Sequence, residues 1–293
     1  MALVDLKHAK NVSGDFFVDT TCIDCDLCRQ IAPDVFSDVG EQSVVYHQPE
    51  TVEQEFAALK ALVTCPTASI GVTGHSAKPA LGAYPEAVDE NVFFCGFASE
   101  SSYGASSYLI QRPEGNVLVD SPRFARPLVR RIEEMGGVRL MFLTHRDDVA
   151  DHERWVEHFK AERIMHKDDI GRQLVRVERK IEGREPVAIN DELLVIPTPG
   201  HTRGHQVLLY RNRYLFTGDH LWWSPNYNSL HASWNVCWYS WAEQTRSMER
   251  LLDYEFEWVL PGHGRRAQFT KDEMRRQLLA CITRMKEHAR LAS

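Results

Sequence analysis

Residues 144–152 read Thr-His-Arg-Asp-Asp-Val-Ala-Asp-His and follow an apolar run, residues 138–143, that is typical of a buried strand. Two histidines and three aspartates within eight residues are costly to place together unless a cation binds them. Neutral imidazole and carboxylate are both good ligands for zinc or iron. The segment therefore predicts a divalent metal site where a strand leaves a sheet. The alternative is a solvated acidic turn with two incidental histidines.

Three later predicted strands end in the same type of residue. His201 follows Thr-Pro-Gly, Asp219 follows Thr-Gly, and His263 follows Pro-Gly. The glycine before each of them permits a tight turn and a close approach of the backbone to a ligand. Four strand ends that each carry His or Asp into a loop can assemble one metal site from distant parts of the sequence. We expect the neighbouring His205 and His220 to orient the ligands and not to bind metal themselves.

Near the start of the chain, Cys22, Cys25 and Cys28 have a C-x2-C-x2-C spacing. Such a loop can wrap three corners of an iron–sulfur cube, and a fourth ligand must come from elsewhere. Cys65 supplies it after a predicted short strand and a helix that begins at a capping box, Thr51-x-x-Gln. A zinc site formed by the four cysteines is the alternative, and a [3Fe-4S] cluster is also compatible with the sequence.

Length and charge narrow the classes of partner. The chain has 293 residues and a net charge of −7, without a basic block, so nucleic acid and anionic membranes are not expected partners. No apolar stretch approaches the ~18 residues of a membrane-spanning helix, and the start does not have the pattern of a signal peptide. We therefore expect a cytoplasmic protein. Residues 74–90 are rich in Gly, Pro and Ala, which predicts a linker between domains at 1–73 and 91–293.

Two further features lie in the second half of the chain. Residues 222–241 contain five tryptophans and two tyrosines, which form either a core or a loop over a substrate. The boxes Ser240-x-x-Glu and Thr270-x-x-Glu predict the starts of two helices.

The first part of the chain resembles a single-cluster bacterial ferredoxin. The resemblance covers about residues 12–73 and rests on the cysteine spacing, on Ala-Pro-Asp-Val-Phe at residues 32–36 and on Cys-Pro-Thr-Ala-Ser-Ile at residues 65–70. It implies one [4Fe-4S] cluster. Its ligands would be Cys22, Cys25, Cys28 and Cys65.

The rest of the chain, about residues 91–293, resembles the metallo-β-lactamase superfamily, in particular its glyoxalase II and persulfide dioxygenase branches. The resemblance rests on the four strand-end motifs, which occur in the same order as in the family. The resemblance implies an α+β fold, an αββα sandwich of two mixed sheets between helices, with one or two divalent ions, zinc or iron, at one end. By this resemblance, His145 and His201 would bind the first metal, Asp151, His152 and His263 would bind the second, and Asp219 would bridge the two.

The chain departs from the family pattern His-x-His-x-Asp-His. Asp151 and His152 come two residues too late after His145, and Asp147 stands at the second histidine position. If the extra residues bulge after Asp147, its carboxylate replaces the missing imidazole, with Asp148 as the second candidate. Otherwise the first metal loses one ligand.

Three functions compete. The leading hypothesis is a hydrolase of ester or thioester substrates, in which metal-bound hydroxide attacks at neutral pH and Asp151 orients it. Hydrolysis moves no electrons, so the ferredoxin-like region favours a non-haem iron redox enzyme similar to persulfide dioxygenase, with His145, His201 and Asp219 as a facial set. The third hypothesis is an iron–sulfur sensor with a degenerate, non-catalytic sandwich.

A flavodiiron-type reductase is disfavoured. That branch keeps Glu where Asp147 stands in this chain, and it carries a flavin domain. Under the enzymatic hypotheses the expected partners are a small-molecule substrate and, for the redox enzyme, a redox partner protein.

Overall fold

The computed structural model describes residues 2–174 and 176–291. Packing divides the chain into two compact units. The first consists of the residues up to Arg139 together with Ala150–Lys160, and the second of Leu140–Val149 together with the residues from Ala161 onwards. Among the described helices, none combines the length and the apolar content that crossing a membrane requires.

The first unit begins with two short strand pairs and two helices. In chain order these elements are β1 (Phe16–Val18), α1 (Leu27–Ile31), β2 (Phe36–Asp38), β3 (Ser43–Val45), α2 (Val52–Thr64) and β4 (Ile70–Val72). Strand β1 pairs antiparallel with β4, and β2 with β3. The Thr51 hydroxyl accepts a hydrogen bond from the backbone N–H of Gln54 (3.2 Å), so the predicted start of α2 is confirmed.

The remainder of the first unit is a four-stranded meander with two helices. Its elements are β5 (Glu86–Asp89), β6 (Val92–Phe94), β7 (Tyr108–Ile110), β8 (Val117–Val119), α3 (Arg126–Glu134) and α4 (His152–Phe159). Each of the strands β5 to β8 pairs antiparallel with the next.

Residues 74–90, the predicted linker, are folded against α2. They contain a 3-10 helix, Lys78–Gly82, and strand β5. Tyr84 is fully buried, and its hydroxyl accepts a hydrogen bond from the Thr64 hydroxyl (2.9 Å). Lys60 of α2 forms an ion pair with Glu86 (2.6 Å). The division into domains at 1–73 and 91–293 stays a prediction.

The second unit consists of a parallel three-stranded group, a six-stranded sheet, a hairpin and two helices. Its elements are β9 (Leu140–Phe142), β10 (Glu162–His166), β11 (Arg179–Ile181), β12 (Val187–Ala188), β13 (Leu193–Pro197), β14 (Gln206–Tyr210), β15 (Tyr214–Gly218), β16 (Trp222–Ser224), β17 (Ser229–His231), α5 (Trp241–Arg250), β18 (Trp258–Pro261), β19 (Ala267–Gln268) and α6 (Lys271–Leu291). The six-stranded sheet has the order β12-β13-β14-β15-β18-β19. Buried side chains of β15 and β18, including Leu215 and Val259, share one core with Met248 of α5 and Leu278 of α6.

The pairing in this sheet brings three predicted ligand loops to one edge. Strand β15 runs parallel to β18 with Gly218 opposite Pro261, so Asp219 and His263 follow neighbouring strands at the same end. Strand β13 is antiparallel to β14, which is antiparallel to β15. The loop that carries His201 after β13 therefore leaves at that edge too.

Both predicted helix starts in this unit are confirmed. The Ser240 hydroxyl accepts a hydrogen bond from the N–H of Glu243 (3.3 Å), and the Thr270 hydroxyl accepts one from the N–H of Glu273 (3.3 Å). The backbone N–H of Ser240 also donates to the carbonyl of Gly200 (3.0 Å). The start of α5 is thus tied to the loop that carries His201.

We predict that Ser240→Ala lowers the free energy of unfolding by about 1 kcal/mol, because α5 loses its N-cap acceptor. Urea unfolding followed by circular dichroism measures this. Ser233→Ala is the matched control, since Ser233 precedes the 3-10 helix Trp234–Val236 and makes no capping hydrogen bond with its side chain. An equal loss in both variants would contradict the assignment of Ser240 as a cap.

Candidate metal centre

Two histidines and two aspartates of the second unit face one another. The Nε2 atom of His145 lies 3.9 Å from Oδ2 of Asp147 and 3.8 Å from Oδ2 of Asp219. The Nε2 atom of His201 lies 3.7 Å and 3.8 Å from the same two oxygens. Ligands of a tetrahedral zinc ion with bonds of ~2.1 Å are about 3.4 Å apart. Each of these four nitrogen-to-oxygen distances exceeds that spacing by only a few tenths of an ångström. Ligand atoms of His145, Asp147 and His201 all lie within 4.8 Å of one another, and Asp219 adjoins this group through the two histidines.

The polar atoms of this group fit a bound cation. His145 and His201 are buried, and within the described part of the chain the Nε2 atom of neither has a hydrogen-bond partner. A buried polar atom left without a partner costs about 1–3 kcal/mol, which a coordinated metal ion removes. Burial also lowers the pKa of His145 to about 4. Its imidazole is therefore neutral at physiological pH, as a metal ligand must be.

Both carboxylates are ionised. Burial alone would raise the pKa of Asp219, but His263 and then His145 and His201 outweigh it and hold this pKa well below its usual range. His263 makes the closest of these contacts, with Nδ1 2.8 Å and 3.0 Å from the two carboxylate oxygens of Asp219. The nearby His201 is the main cause that lowers the pKa of Asp147.

A second group of potential ligands lies next to the first. One ligand atom each from His145, Asp148 and Asp219 lies within 4.8 Å of the others. A Cβ atom on Gly262 would be 2.6 Å from Oδ2 of Asp148 and 3.0 Å from Oδ1 of Asp219, so only glycine allows both carboxylates to approach here. Asp147 and Asp148 are the two candidates for the missing imidazole. Asp147 lies near both His145 and His201, whereas Asp148 belongs to the second group.

Asp151 and His152 belong to neither group within the described residues. Asp151 precedes α4, and its Oδ2 accepts a hydrogen bond from the backbone N–H of Phe124 (2.7 Å) and lies 3.6 Å from Nη1 of Arg154. His152 is the first residue of α4 and is buried. The assignment of both residues to a second metal, and the catalytic role of Asp151, stay predictions.

Asp169 connects two ligand loops, although it lies outside the motifs that predicted the site. It is buried, its Oδ2 accepts hydrogen bonds from the N–H of Arg146 (3.2 Å) and the hydroxyl of Thr202 (2.5 Å), and its Oδ1 accepts one from the N–H of Gly204 (2.6 Å). The loops carrying His145 and His201 therefore share one buried carboxylate. The available signal was the aspartate pair Asp168-Asp169, which begins two residues after strand β10.

His205 and His220 form a stacked, buried pair behind the first group. Their ring centroids are 5.3 Å apart, and the ring of His205 is 5.2 Å from that of His145. The Nδ1 atom of His205 lies 2.9 Å from the Thr198 hydroxyl. Burial lowers the pKa of both, that of His220 to about 3, so the two rings are neutral. A role in positioning His145 stays a prediction.

Part of the aromatic segment borders this site. The backbone N–H groups of Trp238 and Tyr239 both donate to the carbonyl of His201 (2.9 and 3.1 Å). Their side chains are 61% and 47% exposed, and the ring of Trp238 lies 6.2 Å from that of His201. Trp241, in contrast, belongs to the core. The segment therefore contributes both to the core and to a surface beside the candidate ligands.

The four early cysteines lie near one another in the first unit. The pKa of Cys25 is raised to about 12, mainly by burial and to a smaller extent by the neighbouring Cys65 and Cys22, although a hydrogen bond from the backbone of Leu27 opposes the shift. The backbone at Gly104 has φ = +84°, and a Cβ atom there would lie 2.6 Å from Cβ of Cys25. Deprotonation of such thiols requires a bound metal, and the close backbone of Gly104 encloses them on one side.

Comparisons with known proteins found relatives for two parts of the chain. Residues 18–72 match the family described as the 4Fe-4S single cluster domain of Ferredoxin I. A crystal structure of the DIM-1 metallo-β-lactamase exposed to ceftazidime has 20% identity and a TM-score of 0.52, and the match covers 71% of this chain and 96% of that one. The larger part of this chain has the metallo-β-lactamase fold. The predicted fold class, with a ferredoxin-like region before the sandwich, is confirmed.

A second solved structure is similar to part of this chain. ETHE1 from Myxococcus xanthus has 19% identity and a TM-score of 0.48, with 65% of this chain and 85% of that chain covered. No curated protein sequence matches this chain.

We predict that Gly104→Ala impairs assembly of the iron–sulfur cluster, because the added methyl group would meet Cys25. The measurement is iron content and visible absorbance after anaerobic purification. Gly40→Ala is the matched control, since Gly40 also has a positive φ (+98°) but nothing within 4 Å of an added Cβ. The strain of a positive φ, about 1–2 kcal/mol, is common to both variants. Wild-type cluster content in Gly104→Ala would contradict this picture.

Proposed function

We propose that this chain is an oxidoreductase of the metallo-β-lactamase fold that holds a non-haem iron at His145, Asp147, His201 and Asp219. In this proposal the cluster bound by the four early cysteines exchanges electrons with a partner protein or with the reaction. The observation that carries the proposal is the position of Asp147, whose carboxylate stands within 3.7–3.9 Å of both Nε2 atoms where the family has a third imidazole.

The donor set favours iron over zinc. Catalytic zinc sites of the three-histidine kind use neutral nitrogen ligands. Here two imidazoles are joined by two ionised carboxylates, and two histidines with a carboxylate and open positions are typical of non-haem iron(II). A cluster of the [4Fe-4S] type transfers single electrons. Hydrolysis needs none, so the combination of both sites in one chain supports redox chemistry.

The residues of the chain have separable tasks in this site. Bound iron would supply one-electron chemistry with a small oxidant such as O₂. Burial holds His145 neutral by lowering its pKa, while His263 fixes the orientation of Asp219 through Nδ1. The side chain of Asp147 is 47% exposed, so the site opens to solvent on that side.

The exposed rings of Trp238 and Tyr239 supply a wall for an apolar or flat part of a substrate. The backbone N–H groups of both residues donate hydrogen bonds to the carbonyl of His201, so this wall has a fixed position relative to His201, a proposed ligand of the metal. Aromatic rings that are rigidly held next to polar groups are typical of small-molecule sites.

A two-metal hydrolase is the second candidate. The group of His145, Asp148 and Asp219, with His263 beside it, offers donors for a second ion, and two metals can activate water and polarise a carbonyl together. The two functions differ in the metal that is bound and in whether electrons are transferred.

We predict that Asp147→His shifts the metal preference of the site from iron to zinc, because it restores the third imidazole. The measurement is iron and zinc content after anaerobic expression in medium that contains both metals. We expect about five irons per wild-type chain, about four of them in the cluster, and about one zinc in place of the fifth iron in the variant.

Asp168→His is the matched control for that experiment. Asp168 is partly exposed and pairs with Arg203 (3.4 Å), so the same substitution there adds an imidazole outside the site. Unchanged metal content in Asp147→His would contradict the role of Asp147 in selecting the metal, and zinc in the wild-type site would count against iron.

The reaction class is tested by two assays on the anaerobically purified protein. We expect oxygen uptake with glutathione persulfide and no hydrolysis of a glutathione thioester. We predict that Asp219→Asn lowers the uptake by about 10- to 100-fold, since a neutral amide is a weaker ligand than a carboxylate. Thioester hydrolysis without oxygen uptake would support the hydrolase, and the absence of both activities would favour a sensor.

A further inference from the structure

Arg123 lies in the loop after β8, outside the region that matches the ferredoxin family. Its Nη2 donates a hydrogen bond to the carbonyl of Val63 (3.1 Å), in the last turn of α2. Two residues later the same turn ends at Cys65, the expected fourth ligand of the cluster. The guanidinium thus docks on the backbone that presents this ligand.

The backbone around Arg123 is fixed at several points. Its N–H donates to the carbonyl of Phe97 (2.9 Å), and its guanidinium carbon lies 5.9 Å from the centre of the Phe97 ring. The N–H of Ala98 donates to the carbonyl of Thr64 (3.1 Å). Two consecutive carbonyls at the end of α2 are therefore bound by residues that follow the ferredoxin-like region. A cation at this end of a helix is also favoured by the helix dipole.

The guanidinium of Arg123 is not held in a close ion pair with a carboxylate of the described residues. Arg29, the other arginine near the cysteines, pairs with Asp24 (2.7 Å), Asp26 (2.6 Å) and Asp38 (3.3 Å). Arg123 forms no ion pair within 4 Å among the described residues. Burial lowers the pKa of Arg123, and the charges of Cys65 and Asp151 oppose this shift. Arginine stays protonated at any physiological pH, so a full charge remains next to the Cys65 turn.

We propose that Arg123 sets the reduction potential of the iron–sulfur cluster, acting as a positioning and charge-bearing residue supplied by the chain beyond the ferredoxin-like region. One-electron reduction of a four-thiolate cluster adds a negative charge, and a partly buried cation nearby stabilises the reduced form. The residue also provides a physical link to the predicted metal-site residue Asp151, since the next N–H in the chain, that of Phe124, donates to the Asp151 carboxylate (2.7 Å).

The test is an anaerobic potentiometric titration of the full chain, with the reduced cluster followed by electron paramagnetic resonance. Three variants are compared with the wild type. R123Q removes the charge and keeps a donor, R123K keeps the charge, and R131Q removes an exposed charge of the same unit that pairs with Glu134. This readout does not require a metal in the second unit, so it is independent of the proposed reaction.

We expect R123Q to lower the midpoint potential. At the wild-type midpoint the ratio of reduced to oxidised cluster should fall on the order of tenfold, which is 59 mV for a one-electron couple. We expect R123K and R131Q to keep the wild-type midpoint. A purely structural role would change cluster loading or thermal stability in R123Q without moving the potential of the loaded fraction.

The midpoint potentials of the variants distinguish a role of the Arg123 charge from a purely structural role. Equal midpoints for R123Q and R131Q would overturn the proposal, as would a potential in R123K that is shifted as far as in R123Q. If the R123Q protein contains no cluster, the comparison of R123K with the wild type tests the proposal. A loaded R123K with the wild-type potential supports the role of the charge, and an R123K that is unloaded or shifted overturns it.

Discussion

The parallel pairing of β15 with β18 is the contact on which the metal centre most depends. It puts Asp219 and His263 at the ends of neighbouring strands, where His263 Nδ1 stands 2.8 Å from the Asp219 carboxylate. This contact keeps Asp219 ionised although it is largely buried, and an uncompensated buried charge would be strongly destabilising. With Asp219 held in this way, its carboxylate stays 3.8 Å from the Nε2 atoms of both His145 and His201.

The strand ends of the site could be predicted from sequence because their signal is local. Glycine followed by His or Asp after an apolar run marks His201, Asp219 and His263, and the helix caps at Ser240 and Thr270 are equally local. Cysteine spacing identified the cluster region for the same reason, because ligand spacing on one loop is fixed by the size of the cube.

Other features depend on contacts between distant residues. The buried role of Asp169 arises because three donors from two loops converge on it, and all three donors are distant from Asp169 in the sequence. The choice between Asp147 and Asp148 depends on how the chain turns after His145. Adjacent side chains there point to different neighbours, Asp147 towards His201 and Asp148 towards the space next to Gly262. Residues 74–90 have the composition of a linker, yet burial of Tyr84 orders them.

The most direct test of an iron centre at this site is a crystal structure of anaerobically purified protein, with anomalous data collected on both sides of the iron and zinc absorption edges. The account predicts an iron peak within bonding distance of the Nε2 atoms of His145 and His201 and of the Oδ2 atoms of Asp147 and Asp219. A zinc peak at this position, or an Asp147 side chain that points away from the metal, would contradict it.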